Sequence, residues 1–377
     1  MSTAQEAPAT GAAARRAVEI VDCDVHPSPR SNDELLEYFP EPWRSYEARG
    51  PERPIDTFTL VSQTPNGGVR LDSVPPGGGK PGTDPAFAVE QMRRMGDLRH
   101  AILIPLASAR PRENADREAA SCHATNLWLA DTWIGRDNID DVFRGSLRVA
   151  LNDPALAVRE IEFWAGDDRF VQICMAPGTL VPLGDPLFDP VHAAAARAGV
   201  PMGMHPLTAP GSRLLTPVGF PTYFDEYHSE AALIAMAHLT SLVFNGTFDK
   251  FPGLRYAMIE SGNAWLAPLL WKMDRHWHEF RAEYPAVRRA PSEIVAERVR
   301  VATQPLESPP RDKDLAWLLE AVDVGDMFMY SSDYPHHDAD EPDWVLKHVP
   351  DERQARIMSG TARDFYGLGP AREAPAR

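Results

Sequence analysis

Residues 145–205 read GSLRVALNDPALAVREIEFWAGDDRFVQICMAPGTLVPLGDPLFDPVHAAAARAGVPMGMH. Three short apolar runs, Gly145–Leu151, Arg169–Met175 and Val200–His205, are separated by two stretches with helical spacing. The first of these, Pro154–Ala165, follows the cap signal Asn152-Asp153, and the second, Pro190–Ala198, stops at Gly199. Runs that are apolar without alternation suit strands buried on both faces, the habit of parallel sheets. The alternation continues outward in both directions. Upstream lie Ala17–Cys23 and Arg99–Pro105 (RHAILIP); downstream lie Leu254–Glu260 (LRYAMIE), Arg298–Thr303 (RVRVAT) and Asp326–Ser332 (DMFMYSS). Helical patterns fill the gaps at Glu113–Ile134, Ser229–Phe244, Ala264–Arg281, Lys313–Val322 and Asp351–Met358. Eight strand–helix units predict an α/β fold of the (β/α)8 barrel type. An open doubly wound sheet is the alternative, weakened because no GxGxxG follows the first strand.

Composition agrees with one large domain. The chain has 377 residues, 44% hydrophobic and 24% charged, and 54 acidic against 38 basic residues give a formal charge of −16. Nucleic-acid wrapping needs clustered basic residues and is not expected, so the expected partner is a small molecule. No apolar run reaches the roughly 20 residues that span a bilayer, and no membrane association is expected. The three cysteines, Cys23, Cys122 and Cys174, form no CxxC pair, which suits a reducing, cytoplasmic location. Residues 1–17 read as a disordered tail without a signal-peptide core, residues 370–377 as a second tail, and 18–369 as the domain. A long insertion, about residues 40–90, follows the first strand. Within it, residues 51–84 carry TPNGG, VPPGGG and KPGTDP, a density of Pro and Gly that argues against regular structure. In a barrel it borders the active-site rim, as a lid or as a surface insertion.

The polar residues of interest stand at the ends of expected strands. The first strand ends Asp22-Cys23-Asp24-Val25-His26, the fifth ends His205-Pro206, the sixth ends Glu260-Ser261, and the eighth ends Ser332-Asp333-Tyr334-Pro335-His336. In a parallel barrel those ends converge on one face. Asp24 and His26, two apart, project to the same side. Asp24, His26, His205 and Asp333 supply two carboxylates and two imidazoles, a set suited to one divalent metal, with Glu260 beside it.

These motifs also carry a resemblance. The DxH after the first strand, VPMGMHP, FDKFPGLRYAMIESGNAWLAPLLWKMD, YSSDYPHHD and the closing TARDFYGL resemble the amidohydrolase-related branch of the amidohydrolase superfamily. That branch includes aminocarboxymuconate-semialdehyde decarboxylase and gamma-resorcylate decarboxylase. The resemblance covers about residues 18–369. It implies a distorted (β/α)8 barrel, one divalent metal at Asp24, His26, His205 and Asp333, and frequently a homodimer. Two positions depart from the pattern: Asp24 stands where the family often has His, and Glu260 where it commonly has His. Zn²⁺ is the first expectation and Mn²⁺ the next, because an oxygen ligand at Asp24 favours the harder ion. Binuclear members of the superfamily use a carboxylated Lys on strand four. RFVQICM has none, so one metal is expected rather than two.

The reaction implied is nonoxidative decarboxylation, a C–C lyase chemistry, on a small aromatic or enol carboxylic acid. Asp333 would move the proton. The alternative is hydrolysis of a lactone, ester or amide by water activated at the metal, with Asp333 or Glu260 as base. An inactive metal-binding scaffold is a third reading. Candidate substrate contacts are Arg110 and Arg213 in loops, Trp265 at a helix start, Gln304 after the seventh strand, and His336.

Overall fold

The structure, a computed structural model, describes residues 18–49, 68–106, 114–175, 179, 181–206, 223–307, 309–321 and 326–369. The expected tails, residues 50–67, and the two candidate arginines Arg110 and Arg213 lie outside those residues. Eight parallel strands form one sheet in sequential order: β1 (Glu19–Val25), β2 (Asp97–Leu103), β3 (Phe143–Arg148), β4 (Phe170–Met175), β5 (Met202–Met204), β6 (Tyr256–Met258), β7 (Val299–Ala302) and β8 (Phe328–Met329). The ends of the sheet meet: Cys23 N donates to Tyr330 O, Asp333 N to Asp24 O and His26 N to Tyr334 O, at 2.8–3.0 Å. The result is a nearly closed (β/α)8 barrel. No helix among the described residues is long and apolar enough to cross a membrane.

The helices are α1 (Asn32–Leu36), α2 (Trp43–Ala48), α3 (Pro85–Met95), α4 (Ala115–Asp131), α5 (Pro154–Phe163), α6 (Asp189–Ala198) and α7 (Phe224–Phe244). There follow α8 (Thr247–Lys250), α9 (Leu266–Phe280), α10 (Pro291–Arg298), α11 (Asp312–Ala321), α12 (Pro342–His348), α13 (Asp351–Ala355) and α14 (Thr361–Tyr366). The crossover between β1 and β2 is α3, which begins where the Pro/Gly run ends. Asp84 accepts from Phe87 N and Pro85 takes the first helical position, so the last residues of the expected insertion are a capped helix. The described part before it holds α2 and the 3₁₀ turn Leu71–Ser73. The late strands are shorter than their apolar runs. Tyr330, for example, leaves the ladder because its N–H donates to Ile357 O.

Inside the barrel, Gln172 on β4 donates to Ser146 Oγ at 2.9 Å and accepts from Tyr366 OH at 2.8 Å, tying α14 to the interior. Gly203 on β5 leaves room for this amide. A Cβ there would stand 2.5 Å from the Gln172 amide carbon. Gly203→Ala is therefore expected to destabilise the fold by about 1–3 kcal/mol through overpacking. Chemical denaturation reads this directly, and an unchanged midpoint would refute it.

Candidate metal centre

Asp24 lies within β1 and His26 one residue beyond it; His205 follows β5 directly; Glu260 stands two residues past β6; Asp333 stands four past β8. All but Glu260 are almost wholly buried. The strand ends bring these five side chains together at the C-terminal mouth of the barrel. Asp24, His26 and His205 have donor atoms within 4.8 Å of one another, as do His26, Asp333 and His336, and Asp24, Glu260 and Asp333.

Two backbone contacts decide how the imidazoles point. His26 Nδ1 donates to Ile104 O at 2.8 Å, and His205 Nδ1 donates to Pro206 O at 2.9 Å. With Nδ1 engaged on the backbone, each ring turns its Nε2 inward. His26 Nε2 then faces Asp24 Oδ1 at 3.1 Å and Asp333 Oδ1 at 2.8 Å. His205 Nε2 faces Glu260 Oε2 at 2.9 Å and Asp24 Oδ2 at 3.6 Å. Both Nε2 atoms and both Asp24 oxygens are buried without a hydrogen-bond partner. Acceptors set face to face require a proton or a cation between them. Four donors about 2.1 Å from one ion stand roughly 3.0–3.4 Å apart, and the three contacts among Asp24, His26, His205 and Asp333, at 2.8, 3.1 and 3.6 Å, bracket that spacing. The residues present fit a divalent cation held by Asp24, His26, His205 and Asp333.

Electrostatics divide the carboxylates. Burial drives Glu260 upward, and Asp333 and Asp24 add to this against the pull of His205, so its carboxyl is raised above the ordinary range. Asp333 is more deeply buried, but His336 and His26 outweigh the burial and hold it below that range. Burial opposes the protonation of His205, yet Glu260 and Asp24 raise it well above the ordinary imidazole value. Two carboxylates in one cleft are thereby shifted in opposite directions, Glu260 up and Asp333 down. Both Glu260 (φ 49°) and Asp333 (φ 63°) have left-handed backbones. Strain of this kind in side chains that bear the chemistry marks a functional site.

The remaining candidates fall in different places. Gln304 is buried and its amide donates to Asp333 Oδ2 at 3.3 Å. His336 Nδ1 lies 2.6 Å from Asp333 Oδ1, and its ring is 4.7 Å from that of His26. Trp265 packs in the core, its indole N–H shared between Ser261 O and Gly262 O, so it has a structural duty. Gly68–Arg70 runs against the turn after Asp333: Val69 bridges His336, and Arg70 N donates to Pro335 O. The far end of the Pro/Gly-rich segment thus borders the site. Two residues at the mouth went unread in the sequence, His228 on α7 and Asp338. His228 Nε2 lies 3.0 Å from Asp338 Oδ2 and 3.9 Å from Glu260 Oε1. The signal for His228 is topological: in a βα barrel the helix N-termini share a face with the strand C-termini.

The amidohydrolase family model matches residues 21–368. The chain belongs to the amidohydrolase family. Among solved structures, an amidohydrolase from Mycobacterium avium subsp. paratuberculosis is 21% identical with a TM-score of 0.69, over 93% of this chain and 98% of that one. A 5-carboxyvanillate decarboxylase from Novosphingobium aromaticivorans, complexed with manganese and 4-hydroxy-3-methoxy-5-nitrobenzoic acid, is 18% identical with a TM-score of 0.66, over 93% and 96%. A 2,6-dihydroxybenzoate decarboxylase from Rhizobium is 19% identical with a TM-score of 0.62, over 93% and 99%. No curated protein matches the sequence. At these identities the amidohydrolase structures establish a shared fold.

Proposed function

We propose that this amidohydrolase is a metal-dependent nonoxidative decarboxylase of small aromatic or enol carboxylic acids. The observation that carries the reading is the inward-facing, partnerless donor set of Asp24, His26 and His205, with Asp333 across from it and Glu260, raised by burial, alongside. The decarboxylases among the structural neighbours add support from the fold. When bound, the cation supplies positive charge that takes up the substrate carboxylate and its neighbouring oxygen and stabilises the negative charge that develops.

The chain's own groups do the rest. Asp333 stays ionised, held by His26 and His336, with Gln304 fixing its second oxygen. Glu260, raised by burial, is the proton carrier. The carbon that bears the carboxylate takes its proton, the C–C bond breaks, and the bonding electrons return to the ring or enol as CO₂ leaves. A carboxyl raised by burial is suited to act as an acid in this step, and together with the decarboxylases among the structural neighbours this favours decarboxylation over the hydrolase alternative. Zn²⁺ and Mn²⁺ both fit two imidazoles with two carboxylates, and a dimer remains the family expectation.

Metal analysis combined with a substrate screen tests the reading. Hydroxybenzoates are expected to release CO₂ and, in D₂O, to carry one deuterium where the carboxylate stood. Acid release from lactones, esters or amides without CO₂ would transfer the site to hydrolysis. Absence of a stoichiometric divalent ion after loading would refute both.

A further inference from the structure

The N-terminal ends of the strands form the floor of the barrel, opposite the mouth, and the floor concentrates positive charge. Ala257 on β6 and Arg300 on β7 are register partners, and Ala257 and Ala302 belong to the apolar cluster inside the barrel. Side chains two apart along a strand share a face, so Arg255 and Arg300 both start from the inner face. Both are half-buried. Arg255 donates through Nη1 to Phe365 O on α14 and through Nη2 to Gly199 O at 3.3 Å, and its guanidinium lies 5.3 Å from the centre of the Phe365 ring. Arg300 donates through Nη1 to Ala296 O at 3.0 Å and to Val299 O at 2.8 Å. All four acceptors are backbone carbonyls. The carboxylates near them are committed elsewhere. Arg356 holds Asp326 at 2.9 Å and Asp364 at 2.8 Å, while Arg289 and Arg298 hold Glu297 at 2.7 and 3.0 Å. Two guanidinium charges are thus left without a carboxylate among the described residues. Burial lowers the affinity of both for their protons. Arg298 adds to this at Arg255, against Tyr366, and Arg356 and Arg255 add to it at Arg300, against Asp326 and Asp364. The Nε groups of Arg298 and Arg300 are also buried without a hydrogen-bond partner. Crowded cations and unmet donors are costs that an anion relieves.

We propose that the barrel floor binds a phosphate dianion, free or as a phosphomonoester, between Arg255 and Arg300. The planar guanidinium fork matches phosphate oxygens in both charge and geometry. Two anionic charges balance the two that the chain leaves open. An anion held by this pair ties β6 and β7 to α14, because Arg255 already reaches Phe365 O. The metal ligands stand at the C-terminal ends of the same barrel, so the two sites share no residue. The proposal therefore goes beyond the decarboxylase reading and does not rest on it.

Titration calorimetry on the metal-loaded full chain tests this, with inorganic phosphate in one arm and methyl phosphate in the other. Inorganic phosphate is expected to bind at one equivalent, more weakly as salt rises, and to raise the thermal midpoint. Arg300→Gln is expected to weaken that binding roughly tenfold or more and to remove the rise, with metal content unchanged. Arg300 is the residue to change first because its carbonyl partners are local, whereas Arg255 holds α14. Should Arg300→Gln not fold, Arg255→Gln is expected to give the same loss. Methyl phosphate binding as tightly as the free ion assigns the site to the phosphoryl group and admits esters; a response to inorganic phosphate alone assigns it to the free ion. No binding of inorganic phosphate to wild type, or undiminished binding in Arg300→Gln, would overturn the proposal. Binding that survives Arg300→Gln but disappears in His205→Ala would place the anion on the cation at the mouth and overturn it equally. A response to succinate as strong as that to phosphate would refute the choice of phosphate.

Discussion

Withdrawing the divalent cation is expected to abolish turnover and to lower the thermal midpoint, and His205→Ala is expected to reproduce both effects in one step. The reasoning is electrostatic. His26 Nε2 is buried 3.1 Å from Asp24 Oδ1 and 2.8 Å from Asp333 Oδ1, and His205 Nε2 3.6 Å from Asp24 Oδ2. Without positive charge between them, the site can be relieved only by taking up protons, and the carboxylates remain desolvated. An ion that binds the folded chain alone stabilises it by about 4 kcal/mol at a thousandfold excess over its dissociation constant. His205 is the ligand to remove because its Nδ1–H is anchored on Pro206 O, so no neighbouring side chain depends on it for that bond. The measurements are metal content and thermal denaturation with and without chelator. In wild type the chelator should move the midpoint; in His205→Ala it should find nothing to remove. A variant that kept a full equivalent of metal, and the same response to chelator, would exclude His205 from the coordination sphere.

That site was largely legible in the sequence, and the reason is geometric. Parallel strands in a barrel deliver their C-terminal residues to one mouth, so Asp24, His26, His205, Glu260 and Asp333 become neighbours once eight strands are recognised. The early strands announce themselves: Phe170–Met175 is buried at every position, and its run of apolar residues reflects this. The eighth does not, because only Phe328 and Met329 stay in the ladder. Helix α3 was hidden behind a run of Pro and Gly that describes the residues before it rather than its own. His228 and Asp338 were illegible for a different reason. A histidine near a helix start is ordinarily a bland feature, as His192 shows, buried in α6 with Nε2 beside Tyr256 OH at 2.9 Å. Only the placement of α7 at the mouth distinguishes His228. Trp265, open to reading as a stacking platform, has an indole N–H committed to the turn that begins α9.

Glu260→Gln should separate holding the metal from moving the proton. The substitution preserves shape and leaves Asp24, His26, His205 and Asp333 in place, so metal content is expected to match wild type. It retains a long side chain at φ 49°, so the backbone strain of the turn is carried over unchanged. What it removes is a group that can bind and release a proton. Turnover is accordingly expected to fall by about 10²–10⁴, the usual contribution of a positioned acid or base. The loss should appear equally in kcat and kcat/KM, because a proton delivered during the reaction is an interaction made only in the transition state. Substrate would still bind, held by the cation rather than by Glu260. Two results would reassign the residue. Unaltered turnover would take Glu260 out of the proton path and return that task to Asp333, the other carboxylate proposed for it. Loss of metal along with activity would make Glu260 a fifth ligand, which its oxygen 2.9 Å from His205 Nε2 is near enough to be.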